Sequence, residues 1–170
     1  MKHKIIILAV LFVAGAAFLF FNSPRSGNIA NDPGAPGFEV RDAVNGNRLS
    51  SSDLKNKIIF VNFWASWCQP CKEEMPSIEA LYREMKGKED FVMITILYKD
   101  SPESAIGYLK SNGYTFPVYV DPDGSAARKY GVTGVPETYI VDKRGMLVRR
   151  VIGGADWNSP DEKSQIKAMF

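Results

Sequence analysis

Cysteine and histidine are scarce in this chain, and the scarcity limits its chemistry. There are two cysteines, Cys68 and Cys71, and one histidine, His3, near the N-terminus. Chemistry that needs an imidazole inside a folded domain is excluded. A structural zinc site needs four ligands, usually Cys or His, and no second ligand pair is present. An iron–sulfur cluster fails on the same count. Covalent haem attachment needs a histidine directly after the second cysteine, and Lys72 stands there. Strong net charge is missing too. The formal value is +2, and no basic cluster follows the first few residues. That pattern gives nucleic-acid binding no support.

What is present begins with a short positive segment, Met1 to Lys4. Ile5 to Phe21 then runs for 17 residues without a charge. As a helix it would be about 25 Å long, at the short end of what spans a bilayer. The alternative is a cleaved signal peptide, whose apolar region is usually about 7–15 residues. Ala14-Gly15-Ala16 has the small-x-small pattern but lies inside the run. No comparable site follows, and no cysteine stands there for lipid attachment. The expectation is a single-pass, uncleaved anchor over 1–21 in the inner (cytoplasmic) membrane. The positive residues stay inside and the rest is extracytoplasmic, in the periplasm. The cysteines then lie where disulfides persist. Residues 22–37, rich in Gly, Pro, Asn and Ser, predict a flexible tether, and 38–170 the folded domain.

Hydrophobic patterning organises that domain. "FEVRDAVNGNRLS" predicts two short strands around a turn at Asn45-Gly46. Ser50 to Asn56 predicts a short helical turn. "IIFVNFW" (58–64) and "FVMITIL" (91–97) are apolar runs of strand length. Between them, Ile78, Leu81, Tyr82 and Met85 repeat at helical spacing, so a helix is predicted from about 69 to 86. Pro76 falls inside it and is expected to kink it. Further helices are predicted over 102–112, capped by Ser101 and stopped by Gly113, and over 124–130. A short strand is predicted over 118–120. "ETYIVD" and "MLVRRVI" flank "KRG" as a hairpin. Ile166, Met169 and Phe170 predict a last amphipathic helix. A central sheet with helices on both faces is the economical arrangement.

The cysteines sit at the first strand-to-helix junction of this order. A disulfide staple across so short a loop would remove little unfolded-chain entropy. A redox role accounts for the surroundings better. A thiol at a helix N-terminus meets unpaired N–H groups and the positive end of the helix dipole. Both favour thiolate, so Cys68 is the predicted nucleophile. Cys71, one turn on, is in reach to resolve a mixed disulfide. Pro70 lacks an N–H and suits the helix start. Trp67 reads as an exposed contact surface or as partial packing against the sheet. Glu74 is three residues after Cys71, on the same helical face. Its side chain leans toward the N-terminus, where it could exchange the proton of Cys71. The other reading is a solvated Glu. Glu73 reads as surface.

"VNFWASWCQPC" resembles the active-site strand and motif of the thioredoxin superfamily. "CKEEMP" and "YGVTGVPETYIVDKRG" resemble its membrane-tethered TlpA/ResA-like branch, which includes the CcmG-type reductases of cytochrome c maturation. The likeness covers roughly Phe38 to Phe170. It implies an α/β fold: a thioredoxin-like central mixed sheet with helices on both faces, an N-terminal β-hairpin, and an extra helix–strand insertion near 101–120. It implies a redox disulfide Cys68–Cys71 and a cis-proline, Pro136, facing the active site. The backbone of Val135 would then be free to pair with an extended substrate segment. The bland alternative is a trans-Pro turn. Glu137 matches a CcmG-like feature, so the substrate contacts implied are Trp67, Val135, Pro136 and Glu137. The branch carries an acid at the place of Glu74. Asn62 stands where cytoplasmic thioredoxins carry a buried acid, which shifts proton handling onto Glu74. No cofactor or metal is implied. The partners implied are protein thiols and disulfides, such as apocytochrome c, and a membrane electron donor such as a DsbD/CcdA-like protein.

Protein-disulfide reduction is therefore the leading expectation. A general disulfide oxidase or isomerase, and a non-catalytic anchored binding module, are the alternatives. A peroxidase of related fold is disfavoured, because no cysteine follows a Pro-and-Thr loop.

Overall fold

A computed structural model of the chain describes residues 34–170. The expected anchor over 1–21 and most of the expected tether lie outside the described residues. Among the described residues, no helix is long and apolar enough to cross a membrane.

The domain opens with a hairpin, β1 (Glu39–Asp42) and β2 (Arg48–Ser50). Its turn is held by Asp42, whose carboxylate accepts from the N–H groups of Val44 and Asn45. A single 3₁₀ turn, Ser51–Leu54, follows. Ser50 and Asp53 cap it reciprocally. Then come β3 (Ile58–Trp64), α1 (Gln69–Met85), β4 (Phe91–Leu97), α2 (Pro102–Asn112), β5 (Val118–Val120) and α3 (Ser125–Tyr130). A second hairpin, β6 (Glu137–Val141) and β7 (Leu147–Ile152), leads to α4 (Pro160–Lys167).

The seven strands form one sheet in the order β2-β1-β5-β4-β3-β6-β7. β3, β4 and β5 are parallel neighbours. The β1–β2, β1–β5, β3–β6 and β6–β7 pairs are antiparallel. The sheet is therefore mixed, with β3 at the junction of its parallel and antiparallel parts. Every residue of β3 is buried, because both faces are covered. Phe60 and Trp64 pack with Met75, Ile78 and Leu81 of α1, Leu109 of α2 and Ile166 of α4. Val61 and Phe63 pack on the other face with Ala126 and Tyr130 of α3. Burying each Val, Leu, Ile, Phe or Met among them contributes about 1.5–3 kcal/mol.

The helix bounds follow the cap residues. Ser101 and Ser159 each accept an N–H from the first turn of their helix, and a proline opens each helix. Gly113 ends α2 with a φ of 69°, which a side chain would resist. α1 continues through Pro76 to Met85. The last helix is shorter than expected and stops at Lys167. Met169 and Phe170 lie beyond it, and Lys88 and Lys143 approach the Phe170 ring. The end of the expected tether is packed: the Ala35 N–H donates to the Gly145 carbonyl at 2.8 Å.

Candidate active site

Cys68 is the N-cap of α1 and directly follows the loop that leaves β3. A disulfide joins it to Cys71. A cysteine here occupies the place that Ser, Thr, Asp or Asn usually fills. Its sulfur takes over their role, accepting the Cys71 N–H at 3.2 Å. The aligned amides of the first turn therefore point at Cys68 Sγ. Cys71 is fully buried and Cys68 keeps a sliver of surface, 4%.

Val135-Pro136 is a cis peptide bond. The Val135 carbonyl oxygen lies 3.4 Å from Cys68 Sγ. In the disulfide this is a contact; in the thiol form an S–H would have that carbonyl as acceptor. Among the described residues, the Val135 N–H has no hydrogen-bond partner. Trp67 is exposed, at 59%, with its indole N–H donating to the Lys99 carbonyl. Cys68 and the Val135-Pro136 bond thus come together. Trp67, next to Cys68 in the chain, turns its indole N–H to Lys99, and its exposed reading is the one observed.

Glu74 is buried, not solvated. Its Oε1 accepts from Asn62 Nδ2 at 2.9 Å. Its Oε2 accepts from the Ala155 N–H and from Trp157 Nε1, each at 3.3 Å. Burial, partly offset by the donors Asn62, Ala155 and Trp157, raises its pKa to about 7. A carboxyl that changes charge near neutrality is suited to proton exchange. An open groove adjoins it, lined by Pro70, Glu73, Ser77, Gly154 and Asp156. Gly154 lies close to this turn of α1: a Cβ there would make ordinary contact with the Pro70 carbonyl, at 3.4 Å.

Glu137 is placed differently. The alternation of β6 turns it to the face of Tyr139 and Tyr130, opposite the face of Asn62 and Thr138. It is buried, accepting from Tyr139 Oη, the Arg150 guanidinium and the Thr133 N–H. Burial pushes its pKa up, but those donors outweigh it and the net value is lowered. Its carboxylate has almost no surface to offer a substrate.

Trp157, Ala155 and Ser77 were not legible as site residues. Ser77 Oγ contacts the carbonyls of Glu74 and Ala155 and accepts the Trp157 N–H, fastening the loop after β7 to α1. The available signal was a lone tryptophan in a loop after Gly-Gly, since a buried indole needs a partner for its N–H. Among the described residues, no three His, Cys, Asp or Glu side chains are grouped as a metal site needs.

Comparison with known proteins agrees with this geometry. Residues 33–150 match the AhpC/TSA family. Over 148 residues the chain is 34% identical to the thiol-disulfide oxidoreductase ResA of Bacillus subtilis, covering 86% of this chain and 82% of that protein. It is 32% identical over 165 residues to the thiol:disulfide interchange protein DsbE of Pseudomonas aeruginosa, covering 92% and 88%. Among solved structures, the exposed lipoprotein thioredoxin of Streptococcus pneumoniae superposes with a TM-score of 0.64 at 30% identity, covering 78% of this chain and 98% of that one. The family match over most of the chain and the likeness to these relatives show that the chain belongs to the AhpC/TSA family as a thioredoxin-like thiol–disulfide oxidoreductase.

Proposed function

We propose that the chain is a membrane-anchored, extracytoplasmic reductase of protein disulfides, acting on substrates such as apocytochrome c during cytochrome c maturation. Cys68 and Cys71 are its redox pair. The observation that carries this is the capping cysteine beside the free backbone of Val135. The apolar run over 5–21 supports the anchor, and the likeness to the TlpA/ResA branch supports the direction.

In the dithiol state the Cys68 thiolate attacks one sulfur of the substrate disulfide. A mixed disulfide forms, and the other substrate sulfur leaves as thiolate and takes a proton. Cys71 then gives its proton to Glu74 and attacks Cys68 Sγ. The second substrate sulfur departs and is protonated. Two electrons have passed to the substrate, and the Cys68–Cys71 disulfide remains. Thiols of a membrane electron donor, such as a DsbD/CcdA-like protein, return it to the dithiol. Trp67, Val135 and Pro136 hold the substrate segment, with the Val135 N–H and carbonyl pairing to it as an added strand.

The deciding measurement is the equilibrium potential of Cys68–Cys71 against glutathione. A value near roughly −270 mV fits a reductant; one near roughly −120 mV would make the protein an oxidant. Membrane fractions washed in high salt test the anchor, since apolar burial, unlike charge attraction, survives salt. Release of the chain by the wash, or a mature N-terminus beyond Phe21, would overturn it.

A further inference from the structure

The hydrogen bonds around Glu74 are asymmetric. Oε2 faces two groups that can only donate, the Ala155 N–H and Trp157 Nε1–H. A proton on Oε2 would point at those donors, so an arriving proton belongs on Oε1. Oε1 faces Asn62 Nδ2, which also donates to Thr138 Oγ1, both at 2.9 Å. An O–H on Oε1 needs an acceptor in that same place.

A carboxamide can supply one. A half-turn about its last side-chain bond exchanges oxygen and nitrogen within the same volume. Asn62 Oδ1 is buried and has no hydrogen-bond partner. After the half-turn, Oδ1 would stand where Nδ2 now stands, accepting from the Glu74 O–H. Thr138 completes the exchange, because a hydroxyl donates as readily as it accepts. In either orientation one end of the amide is bare. The present orientation leaves one oxygen bare and the reversed one leaves two N–H hydrogens bare, so the amide by itself favours the present orientation. The proton on Glu74, which turns Oε1 from acceptor into donor, is what reverses it.

Resting on the reading of Glu74 as the proton partner of Cys71, we propose that Asn62 is a positioning residue whose amide reverses as Glu74 gains or loses its proton. Nδ2 holds the carboxylate, and Oδ1 holds the carboxylic acid. Glu74 can then change charge without leaving its buried site. An ionised acid at position 62 could only accept, and would repel the Glu74 carboxylate. The other charged groups that line the groove beside Glu74 are Glu73 on α1 and Asp156 across it. Arg149 lies over the Trp157 ring and is paired with Glu162, and Cys71 is one turn before Glu74 on α1. β3 and β6 present only Asn62 and Thr138 there, and neither ionises.

The test uses the full chain in detergent micelles, with the disulfide intact, labelled for NMR at glutamate Cδ and asparagine Nδ2. Across pH 5–9 the Asn62 amide signals should move with the same midpoint as Glu74 Cδ. Asn62→Leu removes the donor to the carboxylate and should raise the Glu74 midpoint by about one to two pH units. Thr138→Val keeps the amide and should move the midpoint less. It also serves if the leucine variant fails to fold. In the reduced protein, the pH profile of Cys71 exchange should shift with Glu74. An Asn62 amide that stays unchanged while Glu74 titrates overturns the proposal, as does an unmoved midpoint in Asn62→Leu. If Glu74 moves and Cys71 exchange does not, the amide reversal stands, and the pairing of Glu74 with Cys71 is what fails.

Discussion

Replacing Glu74 by Gln removes an ionisable group and nearly keeps its shape. Folding carries this carboxyl from a pKa of 4.5 to about 7, chiefly by burial. At 1.36 kcal/mol per unit, that difference is about 3 kcal/mol. The folded value lies above the unfolded one, so the folded state holds the proton more tightly. The stability linked to that proton is complete below about pH 4.5 and is lost as pH rises through about 7. Above that range Glu74 is ionised in both states and the penalty is constant. The amide variant carries no such dependence. Near pH 4 the two proteins should be about equally stable. By pH 8 the variant should be more stable by up to about 3 kcal/mol. Urea unfolding of residues 34–170, disulfide intact, at a series of pH values measures this directly. Parallel stability curves between pH 4 and 8 would refute a buried, neutral-range carboxyl at position 74.

Other consequences are as specific. In the reduced protein Cys68 should alkylate faster than Cys71, since it caps the helix and keeps some surface; faster labelling of Cys71 at neutral pH would reverse the assignment. Cys71→Ser should accumulate a mixed disulfide through Cys68, detectable by mass. Arg150→Met strands the buried Glu137 carboxylate, whose pKa is lowered in the fold. Arg150 is partly exposed, so the loss should be about 2–3 kcal/mol at pH 7. It should shrink as pH falls below about 4.5 and Glu137 protonates, which acid and neutral unfolding curves would compare. Trp67→Ala should lower kcat/KM for a protein disulfide by about tenfold, the scale of an interface anchor. A small-molecule disulfide, which has no surface to lay on the indole, should react at an unchanged rate; equal losses on both would argue for a damaged site.

The parts legible in the sequence were those written in local signals. The apolar runs at 58–64 and 91–97 became strands with those bounds, because a strand buried on both faces needs apolar residues throughout. Ser101, Pro102 and Gly113 marked α2 at both ends. The cysteines and the Glu74 position were visible because they lie within one helix. The donors to Glu74 were not, since Asn62 is on β3 and Trp157 lies after β7. Only the sheet and the closing loop bring them together. Arg150 as partner of Glu137 was hidden for a related reason. The pairing of β6 with β7 shifts register between Ile140 and Val141, so counting outward from the turn places the wrong residues opposite one another.

The bond between Trp157 and Glu74 spans 83 residues. On a ribosome adding about 5–20 residues per second, the cysteines and Glu74 precede that tryptophan by roughly 4 to 17 seconds. During that interval Glu74 lacks the Ala155 and Trp157 donors that hold its Oε2 in the folded domain. Both cysteines have already been made, while the cage that would tune their proton partner has not. The two halves of the proposed chemistry are therefore separated in time in every new molecule. The loop that closes the fold is also the step that joins them.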